Sequence, residues 1–168
     1  MSLDPKLTKL LNDQINNEMA SSYSYLAMSA WFEGTPYSGF ASWMYNQSLE
    51  ETVHALKFYQ YLVDRDAAVS LKPIATPLAK FKNPIDVFQT SFDQEQTVTK
   101  QINGLFDVAE KVRDHASKNL LWFLNEQMEE ENTVRDILDR LKLAGNDSAS
   151  LLVLDREAGT RSAPAPVA

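Results

Sequence analysis

The sequence predicts an all-α fold, in which four long helices form a bundle with one long crossover between helices two and three, followed by a short fifth helix. Four stretches repeat apolar residues every three or four positions, which is the spacing of an amphipathic helix. Helix-starting and helix-ending residues separate these stretches. The 168 residues, of which 44% are hydrophobic, are enough for a single domain with its own core.

The first two helices are predicted to be antiparallel neighbours. Asp4 followed by Pro5 is a favourable start, because proline at the first helical position loses no needed hydrogen-bond donor. Gly34 and Pro36 end this helix, and Ser38 is the expected cap of the second helix. A turn of about five residues holds two consecutive helices side by side.

A long irregular connection precedes the third helix. Residues 66–83 include Pro73 and Pro77 and lack helical periodicity. Such a connection can run the length of a bundle, so helices two and three are expected to be parallel. Asn83 and Pro84 then start the third helix.

The chain ends in a fourth helix and a short fifth segment. Asp114 is the expected cap of the fourth helix, which ends at Gly145. The fifth segment, residues 149–158, carries leucines that need an apolar partner surface. Residues 1–160 are therefore predicted to form one domain, and residues 161–168 a disordered tail.

Each long helix places a carboxylate inside its apolar stripe, which is unfavourable surroundings for a charge. The four acids are Glu18, Glu51, Glu95 and Glu130. They lie about 12 to 16 residues beyond the expected caps, so all four sit at a depth of roughly 20 Å in the bundle. A buried ionised carboxylate costs several kcal/mol unless it is paired, and the stripes offer no Lys or Arg at facing positions. A metal cluster is the simplest partner.

Two further side chains complete a metal-type donor set. His54 follows Glu51 by three residues, and Gln127 precedes Glu130 by three, so each pair shares a helix face. Four carboxylates neutralise two divalent cations, and a set rich in oxygen with one nitrogen suits iron(II) or manganese(II), while zinc(II) could also bind. A lone Glu-x-x-His occurs in many helices, and a structural polar layer is the alternative.

Composition excludes several classes of protein. The net charge of −7 and the absence of a dense basic run argue against nucleic acid as a partner. No apolar stretch is long enough for a membrane span, and no secretory signal is visible. The absence of cysteine excludes disulfides, thiolate zinc sites and iron–sulfur clusters. A cytoplasmic location is expected.

The chain resembles the non-haem bacterial ferritins over almost its whole length before the tail. The matching segments stand in the expected order: NDQINNEMASSYSY, QSLEETVHALKFYQYL, DQEQTVTKQI, FLNEQMEEE and LKLAGNDSASLLVLDRE. The resemblance implies a ferritin-like four-helix bundle. It also implies a ferroxidase, which oxidises iron(II) with dioxygen or hydrogen peroxide, and storage of iron(III) as a hydrated oxide inside a cage of twenty-four subunits.

Carried over by position, the resemblance implies a ferroxidase centre for two irons within one subunit. Its ligands would be Glu18, Glu51, His54, Glu95 and Glu130. Glu51 would bridge the two irons, and Gln127 would hydrogen-bond bound oxygen species. The acids Glu50, Glu126 and Glu129 match those of a third iron site nearby, although they lie beside the apolar stripes and a solvated acidic face is the alternative.

Two aromatic residues are candidate electron donors to the ferroxidase centre. Tyr25 matches the tyrosine that ferritins keep beside the ferroxidase centre, where it can donate an electron, and a core tyrosine with a bonded hydroxyl is the alternative. Trp122 is a second candidate donor, with core packing the favoured explanation. His115 is expected at the surface rather than at the metal.

The sequence lacks residues that two related families need to bind their cofactors. Bacterioferritins hold haem through a methionine two residues before the metal-binding histidine, and Thr52 occupies that position, so no haem is expected. Rubrerythrin-like peroxidases need a cysteine-ligated iron. A stand-alone di-iron oxidase or peroxidase without a storage cage is the alternative function. The fifth helix is expected to line the four-fold axis of the cage, or else to fold back onto its own bundle.

Overall fold

The computed structural model describes residues 3–164, and this part of the chain is helical throughout except for its connections. The long helices are α1 (Pro5–Glu33), α2 (Ser38–Asp64), α3 (Pro84–Lys111) and α4 (Trp122–Ala144). A 3₁₀ helix (His115–Leu120) precedes α4, and a short helix, α5 (Ser148–Ala158), follows it. The predicted fold class is confirmed.

The starts of α1 and α3 follow the predicted capping. Asp4 accepts hydrogen bonds from the backbone N–H groups of Lys6 and Leu7, at 2.9 and 3.2 Å. Asn83 accepts one from the N–H of Asp86 at 2.9 Å. Both side chains satisfy donors that the first helical turn leaves without an intrahelical partner.

The cap of α2 differs from the prediction. Tyr37, not Ser38, holds the N-cap position, and its side chain makes no capping bond. The carboxylate of Asp155 on α5 instead accepts a hydrogen bond of 2.7 Å from the N–H of Phe40. Gly39 allows this close approach, because a Cβ atom there would lie 1.8 Å from the carbonyl oxygen of Asp155. The fifth helix therefore folds back onto its own bundle.

The fourth helix also begins later than predicted. Asp114 precedes a 3₁₀ helix, and α4 starts only at Trp122. Asp114 therefore lies too far from α4 to cap it, and Oδ2 of its carboxylate accepts hydrogen bonds of 2.9 Å from the Tyr61 hydroxyl and the Arg65 guanidinium. The tighter 3₁₀ segment takes the place of the first turns of the helix.

The crossover runs beside α1 in the same direction. The side chains of Asn12 and Asn16 both donate to and accept from the backbone of residues 68–72, as a neighbouring strand would. At the other end of the bundle, the rings of Trp31 and Phe81 pack edge to face, 5.8 Å apart. The crossover thus returns the chain to the start of α2, which makes α3 parallel to α2 as predicted.

A polar layer divides the apolar core into two clusters. On α1, Leu11 and Ile15 belong to one cluster, Tyr25 and Met28 belong to the other, and Glu18 lies between them. The other three long helices repeat this order, with their buried acids at the same level. The sequence therefore builds the bundle around an acidic layer at mid-height.

One side of α5 is buried against the bundle, and its other side is exposed. Leu151 of α5 is buried against the bundle, whereas Leu152 and Val153 are exposed. None of the helices in residues 3–164 has an apolar run long enough to cross a bilayer. Of the predicted disordered tail, residues 165–168 lie outside the described part of the chain, so disorder there stays a prediction.

Candidate metal centre

The acidic layer contains every side chain predicted to bind two neighbouring metals, and we call this set of side chains the paired site. These side chains, all less than a tenth exposed, are Glu18, Glu51, His54, Glu95 and Glu130. Each of the four long helices contributes at least one of them. The convergence follows from helix length, since all four acids lie near the middle of the bundle.

The side chains form two overlapping groups of metal-ligand size. One ligand atom from each of Glu18, Glu51 and His54 lies within 4.8 Å of the others. The same holds for Glu51, Glu95 and Glu130. Glu51 belongs to both groups, which is the position that a carboxylate bridging two metals must occupy.

Three buried oxygens in this layer have no hydrogen-bond partner among the described residues. They are Glu18 Oε2, Glu51 Oε1 and Glu130 Oε1. No ion pair within residues 3–164 joins a lysine or arginine to the four acids of the layer. Buried charges persist only when they are paired or bind a metal, so the donor set fits divalent cations.

Crowding raises the pKa of the acids. Burial raises the pKa of Glu51 and Glu130 well above the usual carboxyl range, and the neighbouring carboxylates raise both pKa values further. Burial also raises the pKa of Glu95, although hydrogen bonds from Tyr25 and Gln127 lower that pKa in part. A metal that binds here must displace protons, so its affinity is expected to increase with pH.

Hydrogen bonds hold the carboxylates while leaving oxygens free for metal. Gln14 donates to Oε1 of Glu18 at 2.7 Å, and Gln47 donates to Oε2 of Glu130. In both acids the other oxygen is the unpartnered one. Such supporting contacts orient ligands before the metal arrives.

Glu95 is held more completely than its neighbours. Gln127 donates to Oε2 of Glu95 at 2.8 Å and to its backbone oxygen at 3.1 Å. The hydroxyl of Tyr25 donates to Oε1. Gln127 therefore lies beside the Glu51, Glu95 and Glu130 group, where its amide holds Glu95.

Two of these supporting residues, Gln14 and Gln47, were missed in the sequence. Gln14 lies one helical turn before Glu18, and Gln47 one turn before Glu51. Both amides are buried on apolar faces. A buried amide one turn ahead of a buried acid was the available signal, because such a polar group needs a partner.

His54 lies between the paired groups and a further set of acids. Its Nδ1 atom is 3.4 Å from Oε2 of Glu51, and its Nε2 atom is 3.8 Å from Oε1 of Glu126. Burial alone lowers the pKa of His54, but Glu126 and the other nearby acids outweigh burial and raise that pKa. The ring packs against the adjacent rings of Trp122 and Phe123, whose centroids are 5.8 and 5.4 Å away.

The predicted third-site acids do not all converge. Ligand atoms of Glu50 and Glu126 lie within 4.8 Å of one another and of His54 and Glu130. Glu129 is exposed and lines the adjoining cavity, which has a volume of about 370 Å³, without joining that group. We call Glu50, His54, Glu126 and Glu130 the outer acid group.

The aromatic candidates occupy different surroundings. Tyr25 is fully buried, and its hydroxyl also lies 2.8 Å from the Ser91 hydroxyl. The Nζ atom of Lys57 lies 3.6 Å from the centroid of Trp122, which covers one face of that ring. His115 begins the 3₁₀ helix and is exposed, away from the acidic layer.

Comparison of the sequence with known proteins finds similarity to ferritins. A family model described as the ferritin-like domain matches residues 8–144. The bacterial non-heme ferritin of Staphylococcus haemolyticus (strain JCSC1435) is 37% identical over 161 residues, which cover 95% of this chain and 97% of that protein. The corresponding ferritin of Staphylococcus aureus (strain MRSA252) is 35% identical with the same coverage.

Solved structures of ferritins share the fold of this chain. An open-pore ferritin from the hyperthermophilic archaeon Archaeoglobus fulgidus superposes with a TM-score of 0.94 at 36% identity, covering 96% of this chain and 100% of that one. A humanized archaeal ferritin gives a TM-score of 0.95 at 36% identity, covering 98% and 100%. The likeness extends over nearly the full length of each chain.

Proposed function

The chain belongs to the ferritin family, and we propose that it is an iron-storage ferritin that oxidises iron(II) at the acidic layer. One observation carries the proposal: the two overlapping ligand groups share Glu51 and contain three buried oxygens that the described residues leave unpartnered. A purely structural polar layer would pair these oxygens with donors, because an unsatisfied buried acceptor is costly.

Iron(II) is the substrate of the proposed reaction. Glu18 and His54 hold one iron, Glu95 and Glu130 hold the other, and Glu51 bridges them. The four carboxylates balance the charge of two divalent ions, which makes the paired site neutral before oxidation. Oxygen ligands and a single nitrogen suit iron in both oxidation states.

Tyr25 and an iron at the outer acid group supply the electrons that two irons alone cannot give to dioxygen. Two iron(II) ions supply two electrons, which reduce dioxygen only to the level of hydrogen peroxide. Complete reduction to water takes four electrons and four protons. An iron bound at the outer acid group, with help from Glu129 at the cavity wall, supplies a third electron. Tyr25 supplies a fourth, and its proton leaves along the hydrogen bond to Glu95. This proton and three from solvent complete the reduction of dioxygen to two water molecules.

The storage function requires a cage. We propose that twenty-four chains assemble around a cavity in which iron(III) hydrolyses to a hydrated oxide. The exposed Leu152 and Val153 on α5 supply apolar surface for a contact between neighbouring subunits, beside the buried face that docks on α2. Residues 1–160 act as one ferritin-like unit, the chain resides in the cytoplasm, and neither haem, nucleic acid nor a membrane takes part.

Particle size and iron uptake test the proposal together. Twenty-four chains of 19.0 kDa give a particle of about 456 kDa by light scattering. Iron(II) added in air should be oxidised and remain with that particle through gel filtration. Oxidation by a stable monomer or dimer that retains no mineral would instead support the stand-alone di-iron oxidase, and absence of oxidation would reject both functions.

A further inference from the structure

Arg161, the third residue beyond α5, is held against α2 by four side chains, Trp43, Asn46, Gln47 and Glu50, which we call its socket. Its backbone oxygen accepts a hydrogen bond of 3.1 Å from the amide of Asn46, and its guanidinium lies 4.8 Å from the ring centroid of Trp43. The guanidinium also donates to Oε1 of Gln47 and to Oε2 of Glu50. These four partners share one face of α2, because their spacing follows the helical repeat.

The socket lies against the outer acid group. Glu50, which forms the ion pair with Arg161, offers a ligand atom within 4.8 Å of those of His54, Glu126 and Glu130. Arg161 lines the same cavity as Glu126 and Glu129. A positive charge therefore lines the cavity beside the outer acid group.

The socket also connects to the paired site. Gln47 accepts from Arg161 through its amide oxygen and donates through its amide nitrogen to Oε2 of Glu130. Glu130 belongs both to the paired groups and to the outer acid group. Arg161 thus fixes the direction of an amide that orients a carboxylate shared by both sites.

We propose that Arg161 is a positioning residue that gates the outer acid group, and that a metal cation bound there must displace its guanidinium from Glu50. This proposal rests on the proposed function, because it assumes that the outer acid group binds iron. A divalent cation and a guanidinium on one carboxylate repel each other, and the hydrogen bonds from Arg161 must be given up before the cation binds. The guanidinium keeps Glu50 paired until a cation arrives.

Calorimetric titration with zinc(II), which is not oxidised, tests the gate apart from activity. The assembled wild-type protein should show two tight binding steps per chain and a weaker third step. Arg161→Gln should keep two tight steps, because no ligand is removed, although the freed Gln47 amide can alter their affinity slightly; it should tighten the third step about tenfold, which is the effect of removing one charge-assisted competitor. Arg156→Gln is the matched control, since Arg156 on α5 is exposed and its loss changes the net charge equally.

Further variants separate the outcomes. Glu50→Gln should itself weaken the third step, because it removes a carboxylate of the outer acid group, and adding Arg161→Gln should then no longer tighten that step. Tightening of about tenfold that persists in the Glu50→Gln background would overturn the proposal. A third step that is unchanged or weaker in Arg161→Gln, or no third step in either protein, would also overturn it. Loss of the first two steps in the wild type would contradict the proposed function instead.

Diffraction gives a second readout that needs no variant. In zinc-loaded wild-type crystals, anomalous density at the outer acid group should coincide with an Arg161 side chain that has left Glu50. Zinc bound there with the Arg161–Glu50 ion pair intact would contradict the gate.

Discussion

The hydroxyl of Tyr25 on α1 donates a hydrogen bond to Oε1 of Glu95 on α3. This bond links a buried phenol directly to a carboxylate of the proposed paired site. Burial raises the pKa of Tyr25 well above its usual value near 10, and the charges of Glu95 and Glu51 raise that pKa further. The phenol therefore stays neutral, and an electron can leave it only if its proton moves to an acceptor such as Glu95.

Tyr25→Phe tests this link. The variant should bind zinc(II) as the wild type does and keep the first turnover of iron(II) oxidation within about threefold, since none of the proposed ligands changes. Freeze-quenched wild-type samples should give a tyrosyl radical signal in electron paramagnetic resonance, and the variant should lose it. Trp122→Phe should keep that signal. A signal that survives in Tyr25→Phe would show that Tyr25 is a core tyrosine and no electron donor.

Glu51→Gln should affect function and stability in opposite directions. The variant loses the bridging carboxylate, so rapid iron(II) oxidation in stopped flow should disappear, as it should in His54→Ala. The metal-free variant should nevertheless be more stable at neutral pH, by about 1–3 kcal/mol, because a buried carboxylate without a counter-ion has been removed. Chemical unfolding of the assembled protein measures this difference.

The matched control is Glu110→Gln, which removes one charge from an exposed position near the end of α3. It should change neither oxidation nor stability by more than about 0.5 kcal/mol. If Glu51→Gln oxidises iron(II) at the wild-type rate, the assignment of the paired site is wrong. If it destabilises the metal-free protein, the acidic layer is a structural network.

The pH dependence of stability should change sign when metal is bound. Burial and neighbouring carboxylates raise the pKa of Glu51 and Glu130 in the folded chain above the ordinary value of 4.5. Between those values the folded chain holds protons that the unfolded chain has lost, so these groups make the free energy of unfolding fall as pH rises. Zinc(II) displaces the protons, and its stabilising effect should grow over the same range.

Thermal unfolding between about pH 5 and pH 7, with and without zinc(II), measures both slopes. The variant Glu51→Gln should show a flatter slope in the metal-free state. Equal slopes in the metal-free wild type and Glu51→Gln, or stabilisation by zinc(II) that does not depend on pH, would show that Glu51 does not titrate in this way.

Glu126 and Glu129 should contribute unequally to the outer acid group. Glu126→Ala removes a carboxylate within 4.8 Å of Glu50 and His54, whereas Glu129→Ala removes one at the cavity wall. Both variants should keep two tight zinc(II) steps. The first should lose the third step, and the second should alter iron turnover with a smaller loss of third-step affinity. Equal losses would place Glu129 among the direct ligands, and iron-soaked crystals with an unchanged third site in both variants would contradict either role.

The convergence of the acids could be predicted from the sequence because it follows from local rules. Helical periodicity placed Glu18, Glu51, Glu95 and Glu130 on apolar faces, and the rise per residue placed them at one level. The long crossover with its prolines gave the direction of α3. These features depend on spacing along single helices and on short connections, which a sequence displays directly.

Features that depend on distant contacts could not be predicted in the same way. Asp155 caps α2 across a separation of 115 residues. Asp114 does not cap α4, because a 3₁₀ helix separates them, and its carboxylate accepts hydrogen bonds from Tyr61 and Arg65 instead. The socket of Arg161 on α2 joins residues more than 100 positions apart. A sequence shows that such side chains need partners, but packing decides which partners they find.

Anomalous diffraction from crystals soaked anaerobically in iron(II) would show whether two irons bind side by side in the acidic layer. We expect two iron peaks per chain, with one bound by Glu18, Glu51 and His54 and the other by Glu51, Glu95 and Glu130. A fully soaked crystal with no iron peak among these side chains, or with the four acids turned away from one another, would contradict this expectation.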